Sequence, residues 1–451
     1  MKKLLLVLFV LSGVLTLAAC SEPVNEGEVI DFSDTFVEKS RIRVWIDDEN
    51  GEYMEEVIEE FNKVHPDIVV EHQHMGSVDA RELLKTFGPS GNGADVFQFP
   101  HDHLAQAIRE DLVLPLPNST RDLLEGRAHE LGMSIATVSY DEGAEENPFD
   151  PDSPNAVERL YAVPMSVESI GLYYNKDLVP EPAETFEELL AAADDWNEMD
   201  AADDSEQTNA EKGWYYLGTS SHWADSYFMQ PIYSAFDFYP FGPNLDDPSA
   251  VGFEDAVPAL EWMDSELRPR TTGNGSHDSI GGGTLFEEGK IPYVIGGPWN
   301  HEAYKDAGLN YGVAQMPSIE VDGEDMPTRT FAGAMMAAVY KYSDNTEDAI
   351  KFVEFLNSDI AMELQYEMKG KFPALTPEYA NAIPGVADDE LLLGMSEQLE
   401  TSVPMPTIPQ VTHYWGPGES MIIDVWNNDV EPSEAAAEAE DSYEALAGLS
   451  G

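Results

Sequence analysis

The chain has 451 residues, more than one hydrophobic core ordinarily organises, so two or more lobes are expected. Its 23 Lys and Arg against 86 Asp and Glu leave a formal charge of −63 with no basic stripe, which excludes nucleic acid bound through phosphates. The carboxylates are interleaved with regular apolar periodicity, so they read as the coat of a folded protein in a salt-loving or alkaliphilic host, where high salt shortens the Debye length to about 3 Å.

The N-terminus, "MKKLLLVLFVLSGVLTLAAC", has a basic start and an apolar run that ends in small residues. It is too short for a lasting membrane span and reads as an export signal over 1–19. Leu17-Ala18-Ala19-Cys20 resembles a bacterial lipobox, in which cleavage precedes the cysteine and the cysteine is lipidated. Cys20 is the only cysteine in the chain, so no internal disulfide forms. Two acyl chains anchor stably where one is marginal, which places the protein on the outer face of the cell membrane. Residues 20–40, acidic and aperiodic, read as a tether.

The fold begins at "RIRVWI" (41–46), where Ile42, Val44 and Ile46 alternate as in a strand. Met54, Val57, Ile58, Phe61 and Val64 follow at helical spacing, and Pro66 closes that helix. "IVVEH" (68–72) is a second strand, 79–87 a second helix and "DVFQF" (95–99) a third strand. This alternation predicts βα units and a mostly parallel sheet, with ligands at the strands' carboxyl ends. "DDEN" (47–50) and "FPHDHL" (99–104) lie at such ends. Two extended segments occupy 162–180, and "TFEELLAAADDWN" (185–197) is a Thr-capped helix. Residues 141–155, 198–212 and 268–283 read as loops, and 290–299 as a strand ending in Gly-Gly-Pro. An amphipathic helix at 345–358 and a surface helix at 431–447 complete the chain.

His72-x-His74 and His101-x-His103 look like ligand pairs if each lies on a strand. No H-E-x-x-H accompanies them, and scattered histidines are commoner than ligands, so no metal is expected. G-x-S-x-G and a phosphate-binding G-K-[ST] are absent from the sequence. Paired carboxylates are inevitable among 86 acids, which leaves a surface glycosidase open. Aromatics stand beside polar groups in turn contexts: Phe99 near Asp102 and His103, Tyr227 after Asp225, Trp299 after Gly-Gly-Pro, and Trp415 after His413. Flat apolar walls with planar acceptors suit the C–H faces and hydroxyl rims of sugars.

From about 41 to 430 the chain resembles the bacterial extracellular solute-binding proteins of carbohydrate ABC transporters, those for maltose and maltodextrin above all. The segments that carry the likeness, in the family's order, include "GADVFQFPHDHLAQA", "YAVPMSVESIGLYYNKDLVPEPAETFEELL", "YVIGGPWN" and "MPTIPQVTHYW". The resemblance implies a periplasmic-binding-protein-like α/β fold, two discontinuous lobes on a hinge with ligand in the cleft between them. The lobes would take 41–166 with 312–382 and 167–311 with 383–430, followed by an acidic C-terminal helix and tail over 431–451.

By residue, Asp102 matches an aspartate that bonds sugar hydroxyls and Glu168 a glutamate between the lobes. Trp299, Trp415 and Tyr227 match stacking aromatics. Asp47 and Glu49 fall in the polar turn after the first strand, Glu82 on the second helix and Met405 at a further contact. Phe99 stands where the best-known members have tryptophan, His103 where they have arginine and Asn50 where they have lysine. Arg81 replaces an acid and offers the missing cation, and Asp225 replaces a longer glutamate. The reading is a monomeric, membrane-tethered receptor without cofactor or catalysis. It takes maltose or maltodextrins, or a related oligosaccharide, to the membrane subunits of an importer. A glycosidase, or a binding protein for a polyamine or iron, is the alternative.

Overall fold

The computed structural model describes residues 39–144, 148–150, 153–202, 204–271 and 282–449. The export signal, Cys20 and nearly all of the tether lie outside them.

The first sheet grows from the predicted alternation. β1 (Ser40–Ile46) buries Ile42, Val44 and Ile46 against α1 (Glu52–Val64), whose Met54, Val57 and Phe61 are all 0% exposed. Each such side chain contributes roughly 1.5–3 kcal/mol. β1 is flanked by two parallel partners, β2 (Ile68–His74) at the sheet edge and β3 (Val96–Pro100) on its inner side, with α2 (Ser77–Phe87) between β2 and β3 in sequence. β4 (Val163–Glu168) ends this lobe's first pass, and the chain then enters the second sheet through β5 (Gly171–Asn175). Helix α3 (Phe186–Glu198) starts as predicted, with the Thr185 hydroxyl accepting the Glu188 N–H at 3.1 Å.

β6 (Leu217–Thr219), β7 (Tyr293–Gly296) and β8 (Tyr311–Ala314) complete the second sheet in the order β6-β7-β5-β8. Helix α4 (Ser226–Ala235) follows β6, and α5 (His301–Asp306) follows β7. The long strand β9 (Phe331–Val339) returns to the first sheet, antiparallel to both β3 and β4. Helices α6 (Thr346–Leu356) and α7 (Asp359–Lys369) pack on the first core. β10 (Val403–Pro404) pairs with β9, and α8 (Trp415–Asn428) and α9 (Pro432–Ala447) close the second lobe.

Four expectations change. Residues 198–212 are not a bare loop: Asp200–Ala201 pairs with Asp204–Thr208 and a short 3-10 turn follows. The α9 helix is not a surface appendage, because Ala435, Ala436, Ala439 and Tyr443 are buried in the second core. Its Glu440 carboxylate also accepts the backbone N–H groups of Val251, Gly252 and Phe253 at 2.8–2.9 Å. The lobe limits shift as well, since Tyr311–Ala314 pairs in the second sheet and Val403–Pro404 in the first. Of the predicted loop 268–283, Arg268–Thr271 is helical, Gly282 opens another short helix, and 272–281 lies outside the described residues.

Chain crossings between the sheets are stitched by hydroxyls. Ser169 donates to Thr330 Oγ1 at 2.6 Å, and Thr330 and Ser402 share a 2.6 Å hydrogen bond. Ser169 and Thr330 are fully buried. The short side chains at these crossings satisfy one another's hydroxyls, with Ser402 donating onward to the Gln398 carbonyl at 2.8 Å.

Candidate functional site: an aromatic and carboxylate-lined cleft

A cavity of about 590 Å³ lies where the carboxyl ends of β1, β3 and β4 meet elements of the second lobe. It is lined by Asp47, Asp102, His103, Glu168, Asp225, Tyr227, Trp299, Met405 and Trp415. The fold brings these nine together from nine separate positions in the chain.

The first lobe supplies the acceptors. β1 delivers Asp47 into the turn after its last residue, where Gln98 Oε1 accepts the Asp47 N–H at 2.9 Å and the carboxylate accepts from Ser77 N–H at 3.4 Å. After β3 the chain turns at once into a 3-10 helix, His101–His103, so these two histidines do not share a strand face and no ligand pair forms. His101 is 2% exposed and its Nδ1 accepts the Ala334 N–H at 3.1 Å. Gly333 is required beside it, because a Cβ there would sit 2.9 Å from the imidazole Cε1. Asp102, 5% exposed, accepts the indole N–H of Trp415 at 3.2 Å. Burial pushes the imidazoles of His101 and His103 below the usual histidine range, the neighbouring Asp102 opposing it in both. Glu168 closes β4; burial raises its carboxyl, against the pull of Lys371 and a 3.4 Å hydrogen bond from Ser166.

The second lobe supplies the walls. Asp225 caps α4, accepting the Tyr227 N–H at 3.0 Å and the Ser221 hydroxyl at 2.6 Å. Its carboxylate thereby aims Tyr227 into the cleft. The Tyr227 ring lies 6.5 Å from both Trp299 and Trp415. Trp299, on the Pro298–Asn300 turn after β7, is 41% exposed, which leaves a flat ring available to a ligand.

Four expected residues lie elsewhere. Phe99 is 0% exposed and stacks on Phe97 at 4.9 Å inside the first core, because residues two apart on β3 share a face and that face points inward. Arg81 is 7% exposed and consumed by Glu110 at 2.5 Å and Glu82 at 2.7 Å, so it offers no free cation to the cleft, and Glu82 is its partner. Glu49 is exposed and does not line the cavity. The sequence reading missed Lys371, His222 and Glu419, which do. Glu419 follows Trp415 by four residues on α8, a spacing that signals a shared helix face. Lys371 and His222 carry no comparable signal.

Two α/β lobes around such a cleft define a solute-binding protein. The family of bacterial extracellular solute-binding proteins matches residues 47–363, and the chain belongs to it. It is 27% identical to the maltodextrin-binding protein of Bacillus subtilis, covering 94% of this chain and 92% of that one. The same organism's galactooligosaccharide-binding protein is also 27% identical, over 89% and 88%. A maltooligosaccharide ABC transporter solute-binding lipoprotein of Streptococcus pneumoniae is 26% identical, again over 89% and 88%. MalX from Streptococcus pneumoniae, solved in complex with maltopentaose, has the same fold at a TM-score of 0.74 and 23% identity, over 90% of this chain and all of that one.

Proposed function

We propose that this protein is an extracytoplasmic receptor that binds maltodextrin-type oligosaccharides and presents them to an ABC importer. The observation that carries the reading is the opposition of Tyr227, Trp299 and Trp415 to Asp102 and Glu168 in one cavity. The three rings match the apolar faces of successive glucosyl units, and the carboxylates match their vicinal hydroxyls. The names of the relatives support the same substrate class. The role is binding without hydrolysis. The lone Cys20 in its lipobox-like frame serves as a diacylglycerol anchor, and the streptococcal relative is itself a lipoprotein. The receptor acts as a monomer.

Calorimetric titration with maltose through maltoheptaose tests the ligand, with saturable heat expected and no heat from any member overturning it. The galactooligosaccharide-binding relative motivates a second series, and tighter binding there would transfer the assignment. Reducing ends released on long incubation would replace receptor with glycosidase. Cys20→Ser should release the protein from membranes into the medium.

A further inference from the structure

A second bridge between the lobes is made by residues that do not line the cleft. Asp48, whose side chain is 0% exposed, gives one carboxylate oxygen to the Met54 N–H at 3.0 Å at the start of α1. Its other oxygen lies 2.8 Å from Nζ of Lys369, the last residue of α7. The same ammonium lies 3.0 Å from Glu302 on α5. Helix α7 belongs to the first lobe, where its Leu364 and Met368 pack on the core. Helix α5 belongs to the second, with Tyr304 in a cluster of that sheet's residues. One ammonium therefore touches a carboxylate from each lobe.

The backbone beside it is matched to this approach. Gly370 ends α7 at φ 59, and a Cβ there would overlap the ring of His301, the first residue of α5. That ring is itself held by a 2.9 Å hydrogen bond with the Tyr311 hydroxyl. Glycine thus serves two needs at one position, the left-handed conformation and the close passage of the second lobe.

We propose that Lys369 is a positioning residue for ligand binding: held by Asp48 in the first lobe, it clasps Glu302 of the second and biases the lobes toward the closed cleft. The two halves of the bridge differ in kind. Asp48 is buried, and its pairing with Lys369 stabilises the first lobe, since an unpaired buried carboxylate is strongly unfavourable. Glu302 is 43% exposed and is satisfied by water when the lobes part. Burial opposes the charge on Lys369, but the two carboxylates outweigh it and hold its ammonium above the ordinary lysine range. The apparent affinity of a ligand scales with the closed fraction, so the clasp acts on affinity without touching ligand. This inference rests on the receptor reading above.

Glu302→Gln removes the second-lobe half alone. Maltotriose should then dissociate about two- to fivefold faster, the range of a partly exposed ion pair, with an unchanged association rate and an unchanged melting temperature of the free protein. Lys369→Met should add a fall in melting temperature, and Lys369→Arg should restore both readouts. In 1 M salt the difference between wild type and Glu302→Gln should shrink toward none. Wild-type dissociation from Glu302→Gln at low salt overturns the clasp. If wild type binds neither maltotriose nor galactooligosaccharide, the ligand reading alone has failed. Small-angle scattering of the free proteins then decides the clasp: a larger radius of gyration for Glu302→Gln supports it, and equal radii overturn it.

Discussion

The indole N–H of Trp415 donates to the Asp102 carboxylate at 3.2 Å, joining residues 313 positions apart and belonging to different lobes. This hydrogen bond gives the cleft a polar contact across its two sides and orients the Trp415 ring. It also occupies one lone pair of an acceptor that is otherwise aimed at the cavity.

Asp102→Ala should cost maltotriose affinity by about ten- to a hundredfold, as expected for loss of hydrogen bonds to a charged group. Asp102→Asn keeps the shape but loses the charge and should fall between. Calorimetry measures both, and an unchanged affinity in the alanine variant would remove Asp102 from the site.

Trp299→Ala should weaken binding by about 1–2 kcal/mol through lost ring contact while leaving the melting temperature nearly unchanged, because the ring is 41% exposed. Phe99→Ala should do the reverse. It opens a cavity in the first core at a cost of about 3–5 kcal/mol, seen in chemical denaturation, and leaves the cleft's chemistry intact.

The buried histidines set an acid limit. Burial lowers the folded-state pKa of His101 and His103 below the ordinary value of 6.5, and His129 and His301 share that direction. A depressed folded pKa means that stability is fully present above the unfolded value and is lost as pH falls through the folded one. Thermal melts of His103→Gln should therefore lose less stability than wild type below pH 6.5. Because burial holds the His103 imidazole below the ordinary histidine range, its variant should also leave the ligand's pH profile flat between pH 7 and 8. A wild-type affinity that falls over that interval, abolished by His103→Gln, would make His103 a cationic contact.

Glu168 carries the opposite sign. Burial raises its carboxyl above the ordinary value of 4.5, so its stabilising share is present below that value and lost as pH rises through the raised one. Glu168→Gln should melt higher than wild type at pH 8, with the gap closing on acidification, while binding maltotriose more weakly. Equal melting curves at all pH values would show that no such burial cost exists.

The local pattern carried much of this. Alternation in 41–46, helical spacing in 54–64 and the Thr185 cap each appear where expected, because burial of one face imposes a period that a short window records. The hairpin at 200–208 escaped, since a polar ladder has no apolar period to betray it. Phe99 and Arg81 were misplaced for another reason. A residue's type and its strand or helix do not say which face turns inward, nor which distant carboxylate has claimed a guanidinium.

What the sequence alone determined was the inventory: an acid-coated chain, strands whose carboxyl ends bear Asp47 and Asp102, and aromatics in turns beside polar groups. Those features follow from local sterics, periodicity and composition, which act within a few residues. Tertiary structure decided which of them meet. Trp415 reaches Asp102, Lys369 reaches Asp48 and Glu302, and Ser169, Thr330 and Ser402 share one hydrogen-bonded knot only because the folded chain brings distant segments together. Each of these contacts joins elements from separate passes of the chain, and packing of the whole, rather than any local preference, sets its distance.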